Sequence, residues 1–379
     1  MSEPVSIIAV GDMMFDARLR PPRIFFHKPE VATCVPEFSS YFYVPYVNSD
    51  ESRQWVARRG LSTHGIDMTS HACQSTPLNL AEADVGDPFR GVASELLDAD
   101  LVFGNLECPL SNRGRPMSND KCYCASPVFA SAMAAASFRV VSFANNHCMD
   151  YGDLAFLDTL DALQQNGIAV VGAGTSLRHA RRPAVFDLHG VRIAFLGYTM
   201  VGPERAFAVD GESGAVPLNP LFAAQDIASI RLDVDVVVLS VHWGDEMMAR
   251  PSPRLVEFAH QLIDVGADVI LGHHAHVPGS IEIYRGRPIL YSLGNFCFGH
   301  DHGYWADNMM AKLIVDAEGT RSVELIPIGG SDRGRYQPFV LGNGSAGPFR
   351  DQLARISEPF GTRIDVRDDG RCVVVPPGA

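Results

Sequence analysis

No stretch of the 379 residues approaches the ~18–20 consecutive apolar residues of a membrane-spanning helix. The start, Met1–Val10, carries Glu3 and no basic residue before a short apolar run. A secretory leader needs a positive n-region and a longer apolar stretch. The chain therefore reads as cytoplasmic, with no membrane partner. Basic residues are outnumbered: 31 Lys and Arg face 44 Asp and Glu, a net charge of −13. That balance argues against a nucleic-acid partner, which requires a basic face, and against docking on anionic lipid. None of the eight cysteines forms a Cys-x-x-Cys pair, so a zinc knuckle is not expected. They read as reduced thiols that pack like small apolar groups, Cys108 and Cys148 included. There is no Gly-x-x-x-x-Gly-Lys-[Ser/Thr] loop, which removes ATP binding by that route.

What is present is a repeated local pattern. Five short apolar runs each end in a polar cluster. Val5–Val10 leads into Gly11-Asp12, and Leu101–Phe103 into Gly104-Asn105-Leu106-Glu107. Val140–Phe143 leads into Asn145-Asn146-His147, and Val236–Ser240 into His242-Trp243-Gly244. Val269–Leu271 leads into Gly272-His273-His274-Ala275-His276. In an α/β sheet, strands end along a common edge, and ligands bind outside their carboxyl ends. Five such ends would gather carboxylates, amides and imidazoles in one place, the donor set of a divalent-metal hydrolase.

Hydrophobic residues make up 46% of the chain, as in an ordinary globular protein with a deep core. Residues 20–85 show no clean helical or strand period and are dense in aromatics, among them Phe25, Phe26, Tyr41, Phe42, Tyr43 and Trp55. They are expected as an insertion, either a lid or substrate wall or a packed segment without chemistry. From Pro88 the pattern is regular. Helices are expected at Pro88–Asp98, Ser126–Ala136, Asp153–Asn166, Pro220–Ile230, Pro253–Val265 and Phe349–Ile356. In the third, Leu154, Leu157, Leu160 and Leu163 are the apolar positions and Gly167 the stop. Strands alternate with these helices and a β-rich part follows, with His189-Gly190 marking a hairpin. This order suggests an α/β protein of two packed sheets with helices outside. The tail, 330–379, is expected as a C-terminal extension with one helix and a strand at Cys372–Val375.

Within the clusters, Asp12 and Glu107 are hard anionic donors suited to Mn²⁺, Fe²⁺, Mg²⁺ or Zn²⁺, and Glu107 has two oxygens with which to bridge two cations. Asn146 is a neutral donor, reasonable beside carboxylates. His147 is expected to meet substrate or protonate a leaving group. His242 is supported as a ligand by His274 and His276, which would share one side on extended backbone; His273 is taken as the bystander. A lone Asp after a strand is often a cap, and a lone strand-end His a packed core residue. Their concurrence is what favours chemistry.

These segments, with Asp150-Tyr151-Gly152, His242-Trp243-Gly244-Asp245-Glu246 and Tyr291-Ser292-Leu293-Gly294-Asn295-Phe296, resemble the capsule-synthesis A (CapA) family of poly-γ-glutamate biosynthesis, in the calcineurin-like metallophosphoesterase superfamily. The resemblance covers about Val5–Asp16 and Pro88–Gly299. It implies a four-layer α/β/β/α sandwich and a single metallophosphoesterase-like domain over 1–379. It also implies two divalent ions, manganese, iron or zinc. Asp12 and His276 would hold one, Asn146, His242 and His274 the other, with Glu107 bridging. Met14 stands where superfamily phosphatases often carry a first-strand His. The implied activity is hydrolysis of a phosphoester or a γ-glutamyl or peptide-like amide by a metal-bridging hydroxide, with Asn146 and His147 in the catalytic centre. The substrate would be a small molecule or peptide-like. The alternatives are a ligase or transferase component of such a biosynthesis, and a non-catalytic assembly protein.

Overall fold

The computed structural model describes residues 3–15, 88–118, 122–298, 307–329 and 337–376. The expected insertion at 20–85 lies outside the described residues. Along the chain come β1 (Val5–Met14), the short helix α1 (Ala93–Leu97), β2 (Leu101–Leu106), α2 (Val128–Ala135), β3 (Phe138–Ser142), α3 (Gly152–Gln165) and β4 (Ala169–Val171). Next are β5 (Ala173–Gly174), α4 (Leu177–Ala180), β6 (Ala184–Leu188), β7 (Val191–Thr199), β8 (Gly214–Ala215), α5 (Pro220–Ile230), β9 (Val236–His242), α6 (Pro253–Asp264) and β10 (Val269–His273). The remainder is β11 (Ile281–Tyr284), β12 (Arg287–Leu290), β13 (Asn295–Phe298), β14 (Asn308–Asp316), β15 (Gly319–Gly329), β16 (Phe339–Val340), α7 (Gly347–Ser357), β17 (Arg363–Val366) and β18 (Cys372–Val375).

Two sheets carry the architecture. The larger runs β17-β18-β15-β14-β1-β2-β3-β4, with β13 also on β1 and β16 on β15; the smaller runs β11-β12-β10-β9-β7-β6. Strand β1 shows why its sequence is apolar without a break. Successive side chains of a strand face opposite ways, and both faces here are covered. Ile7 and Ala9 join Leu101, Phe103, Ile193, Phe195, Val236 and Val238 in the core between the sheets. Ile8 and Val10 join Phe129, Met133, Phe156 and Leu163 of α2 and α3 on the outer side. The outer face of the smaller sheet, Leu196, Val237 and Leu239, is covered by Ala223 and Ile227 of α5 and by Leu255, Ala259 and Leu262 of α6. The layers are thus helix, sheet, sheet, helix, the four-layer α/β/β/α sandwich expected. Among the described residues no helix is long and apolar enough to cross a membrane.

Local chemistry sets the helix ends. The Asn219 side chain accepts the Leu221 amide hydrogen at 2.9 Å and Pro220 opens α5; Ser252 accepts from Leu255 at 3.3 Å and Pro253 opens α6. An N-cap acceptor followed by proline satisfies an orphan amide and presets the first turn. Gly167, at φ 71°, ends α3 as expected. The buried face of α3 differs from the leucine stripe. Ala155, Phe156, Thr159, Ala162 and Leu163 are buried, whereas Leu154 is 54% exposed. A strict three-residue spacing drifts around a helix of 3.6 residues per turn, and Phe156 is claimed by stacking on Phe143 at 5.4 Å. The first helix is also shorter than expected: a 3₁₀ turn, Arg90–Val92, precedes α1.

Candidate metal centre

The parallel strands bring the polar clusters into register. Asp12 of β1 pairs with Asn105 of β2 on one side and Asn295 of β13 on the other. In the smaller sheet His242 of β9 pairs with His273 of β10. The β1 pairings shift register at Asp12; such bulges re-aim side chains beside active sites. Two close crossings fix the edge. A Cβ on Gly11 would fall 2.0 Å from the Gly294 carbonyl oxygen, and one on Gly272 2.0 Å from that of Tyr291.

Asp12, Asn105 and Glu107 are wholly buried, as is His273, and His242, His274 and His276 are nearly so. Asn105 is the hub. Its amide nitrogen donates to Asp12 Oδ1 at 2.9 Å and to Glu107 Oε2 at 3.3 Å. Its carbonyl oxygen accepts from Asn145 Nδ2 at 3.2 Å. Asn145 also donates to the Leu106 carbonyl and, as the turn requires, accepts from the His147 amide. His242 Nε2 lies 2.7 Å from Asn146 Oδ1 and 3.7 Å from Glu107 Oε1. His276 Nε2 is 3.7 Å from the same Glu107 oxygen, and its Nδ1 is 3.0 Å from Asn295 Oδ1 and 3.3 Å from Asp12 Oδ2. His273, expected as the bystander, has Nδ1 3.1 Å from Asp12 Oδ1. Met14 is buried in the outer apolar core.

The histidine turn departs from the extended backbone expected of it. His274 has φ 89° and His276 φ 57°, a conformation uncommon for residues with a Cβ. The chain leaves the sheet at His273 and bends, because the His274 amide donates back to Asp12 Oδ2 at 3.2 Å. Both rings nevertheless reach the cluster, His274 lying 4.7 Å from the His242 ring.

Could these residues hold cations? Ligand atoms of Glu107, His274 and His276 lie within 4.8 Å of one another, and so do those of Asp12, Glu107 and His242. Both groups contain Glu107, the residue the resemblance makes the bridge. The resemblance instead pairs His242 with His274 and Asp12 with His276. Glu107 Oε1 and His274 Nδ1 are buried without a hydrogen-bond partner, a costly condition for polar atoms. Oxygen and imidazole donors without sulfur suit a divalent ion, so the residues fit one.

The electrostatics divide the ligands. Burial, then the neighbouring His274, holds His242 well below the usual imidazole range. His274 is pushed down to about 4 by burial and by His276. Burial and the charge of Asp12 push Glu107 well above the carboxylate range. Burial alone would lower His276, but Asp12 raises it. Burial alone would raise Asp12, but hydrogen bonds with His273 and His276 hold it well down. Metal ligands must be deprotonated. The raised groups, Glu107 and His276, are therefore the expected sources of any protons released on ion binding, and His242 and His274 release none at neutral pH. Calorimetric titration of Mn²⁺ in two buffers of different ionisation enthalpy measures this directly. A buffer-independent heat would contradict the division.

His147 lies beside this cluster. Its Nδ1 is 2.7 Å from Asp150 Oδ2, which also accepts the Tyr123 amide hydrogen, and the Tyr123 ring packs 4.5 Å from the imidazole. Sequence reasoning assigned no role to Asp150, Asn105 or Asn295. Each stood within a quoted cluster, but nothing local said which way it pointed. Cys148 is buried, its thiol pushed up to about 12 by burial and then by Asp150.

Fold and donor set together define a helix–sheet–sheet–helix sandwich with a buried acidic and imidazole centre at its strand ends. The chain belongs to the bacterial capsule synthesis protein (PGA_cap) family, which it matches over residues 6–300. It is similar to the capsule biosynthesis protein CapA of Bacillus anthracis, 33% identical over 248 residues, covering 63% of this chain and 60% of that one. The chain thus spans about three-fifths of that relative's length. It is also 32% identical over 300 residues to a probable polyglutamine synthesis accessory protein of Mycobacterium tuberculosis, covering 73% and 77%. A solved NAD nucleotidase of Haemophilus influenzae aligns loosely, with TM-score 0.39 and 16% identity over 63% of this chain and 44% of that one. An alignment at that level bears on neither metal nor substrate.

Proposed function

We propose that the chain is a metal-dependent hydrolase, cleaving a phosphoester or a γ-glutamyl or peptide-like amide in a capsule-type biosynthesis. One observation carries the reading. Glu107 Oε1 is buried, lacks a hydrogen-bond partner, and lies 3.7 Å from both His242 Nε2 and His276 Nε2. An oxygen so placed costs stability unless a cation satisfies it. Asp12, Glu107, Asn146, His242, His274 and His276 would hold the ions, manganese, iron or zinc. When bound, such ions acidify water and draw charge from a phosphoryl or carbonyl oxygen.

The remaining work falls to this chain's own residues. Asp150, held by the Tyr123 amide, orients the His147 ring through Nδ1. Nε2 is then the atom left to pass a proton to a leaving oxygen or nitrogen. Asn105 and Asn145 fix the Asp12 and Glu107 carboxylates, so little reorganisation is needed during reaction.

A second reading is favoured by the mycobacterial relative's designation as an accessory protein: a non-catalytic assembly role with metals kept for structure. The test measures bound metal, then screens the protein with Mn²⁺ against phosphomonoesters, phosphodiesters and γ-glutamyl amides beside His274→Ala. Turnover lost at least about 1000-fold in the variant, as for removal of a group central to the chemistry, supports the hydrolase. Metal-dependent stability without turnover on any substrate supports the assembly role instead.

A further inference from the structure

Strand β13 sets a side-chain amide against one of the candidate ligands. Asn295 opens this strand and pairs in register with Asp12 of β1. It is almost wholly buried, and its backbone amide donates to the Oδ1 of Asn308, also buried, at 3.0 Å. Anchored there, its own Oδ1 lies 3.0 Å from His276 Nδ1. An amide oxygen accepts hydrogen bonds and cannot donate one. The nitrogen facing it must therefore carry the hydrogen, which leaves the lone pair of the neutral ring on Nε2. Nε2 is the nitrogen turned to the centre, 3.7 Å from Glu107 Oε1, the buried oxygen without a hydrogen-bond partner. Phe298, three residues along the same strand, packs its ring 4.5 Å from the imidazole and crowds any turn that would exchange the two nitrogens.

We infer that Asn295 is a positioning residue: by accepting the hydrogen of His276 Nδ1 it fixes the tautomer that offers Nε2 to a metal ion. The inference rests on the metal-holding part of the reading above and not on its chemistry. Asp12 Oδ2 competes for the same hydrogen at 3.3 Å. That oxygen already accepts the His274 amide hydrogen at 3.2 Å, and a cation would draw on the same carboxylate. The uncharged Asn295 is then the acceptor left to Nδ1. A ligand histidine held this way has its tautomer and ring orientation set before the ion arrives, and loss of such a partner costs about 10–100-fold in metal affinity.

The test reads tautomer and binding, not turnover, and uses Zn²⁺, whose filled d shell leaves histidine resonances observable. Long-range ¹H–¹⁵N spectra of the Zn²⁺-loaded wild type should show His276 with its hydrogen on Nδ1 and the metal on Nε2. Zn²⁺ affinity is then measured by chelator competition in wild type, Asn295→Leu and Asn295→Asp. Asn295→Leu, of similar size and without an acceptor, should bind about 10–100-fold more weakly. Asn295→Asp restores the acceptor and should bind at least as tightly as wild type. Metal on Nδ1 of His276 overturns the proposal whether or not the variants fold. So does unchanged affinity in Asn295→Leu, or a loss that Asn295→Asp shares. A wild type that binds neither Zn²⁺ nor Mn²⁺ overturns the metal-holding reading itself, and this proposal with it.

Discussion

Glu107→Gln is expected to raise the stability of the metal-free protein while abolishing the stability gained from metal. The carboxylate is wholly buried, one oxygen has no hydrogen-bond partner, and burial with the Asp12 charge pushes its pKa well up. Ionised Glu107 therefore opposes folding. Its opposition is greatest above its folded pKa and fades as pH falls toward the unfolded value of 4.5. Gln keeps the shape and can still accept from Asn105 Nδ2. Removing a carboxyl whose ionisation burial penalises should add about 1–3 kcal/mol to the apo protein above its folded pKa. With metal at about 100 times Kd, wild type should gain about 3 kcal/mol, and the variant little. His242 and His274 have the opposite sign. Their folded values are lowered, so they cost stability as pH falls from 6.5 toward about 4. Without Glu107 to offset them, the variant should lose stability more steeply on acidification. Denaturant unfolding with and without Mn²⁺, at several pH values, measures all three. An apo variant weaker than wild type, or one that still gains fully from metal, would show that Glu107 faces no cation.

Gly11→Ala and Gly272→Ala are expected to be the most damaging single methyl additions along the site edge. Each Cβ would meet a carbonyl oxygen at 2.0 Å, that of Gly294 or of Tyr291. Backbone cannot swing aside as a flexible side chain can. The same strands are bonded there, Asp12 to the Gly294 carbonyl at 2.9 Å and Leu293 to the Gly272 carbonyl at 3.0 Å. Relief would part β1 from β13 or move β10 from its neighbours, displacing Asp12 or the histidine turn. Losses above about 3 kcal/mol are expected, the range of severe overpacking, together with loss of bound metal. Gly342→Ala is the control, since nothing lies within 4 Å of its Cβ. Thermal unfolding of the three variants decides it. A Gly11→Ala protein as stable as Gly342→Ala would mean the crossing is looser than described.

Much of the fold was legible because its signals are local. Helix α5 was read at Pro220–Ile230 and β18 at Cys372–Val375, the bounds both have. Strand β13, Asn295–Phe298, was not seen as a strand. All four of its residues are buried, so no alternation betrays it. It is a strand only because β1 lies alongside. The α3 face was misplaced for a related reason: leucines and alanines both suit a helix, and the neighbouring Phe143 decided which face turned inward.

By itself the sequence determined that apolar runs would end in oxygen and imidazole donors, since strand-forming periodicity and a glycine-led polar cluster are properties of adjacent residues. Only the tertiary structure decided which atoms meet. Asn105 and His242 are 137 positions apart, and His273 and Asp12 261; strand order and register join them. Register is set by packing over both sheet faces, and a slip of one residue would turn every donor to the opposite side. The left-handed bend at His274 arises in the same way, from its hydrogen bond to Asp12, 262 positions away.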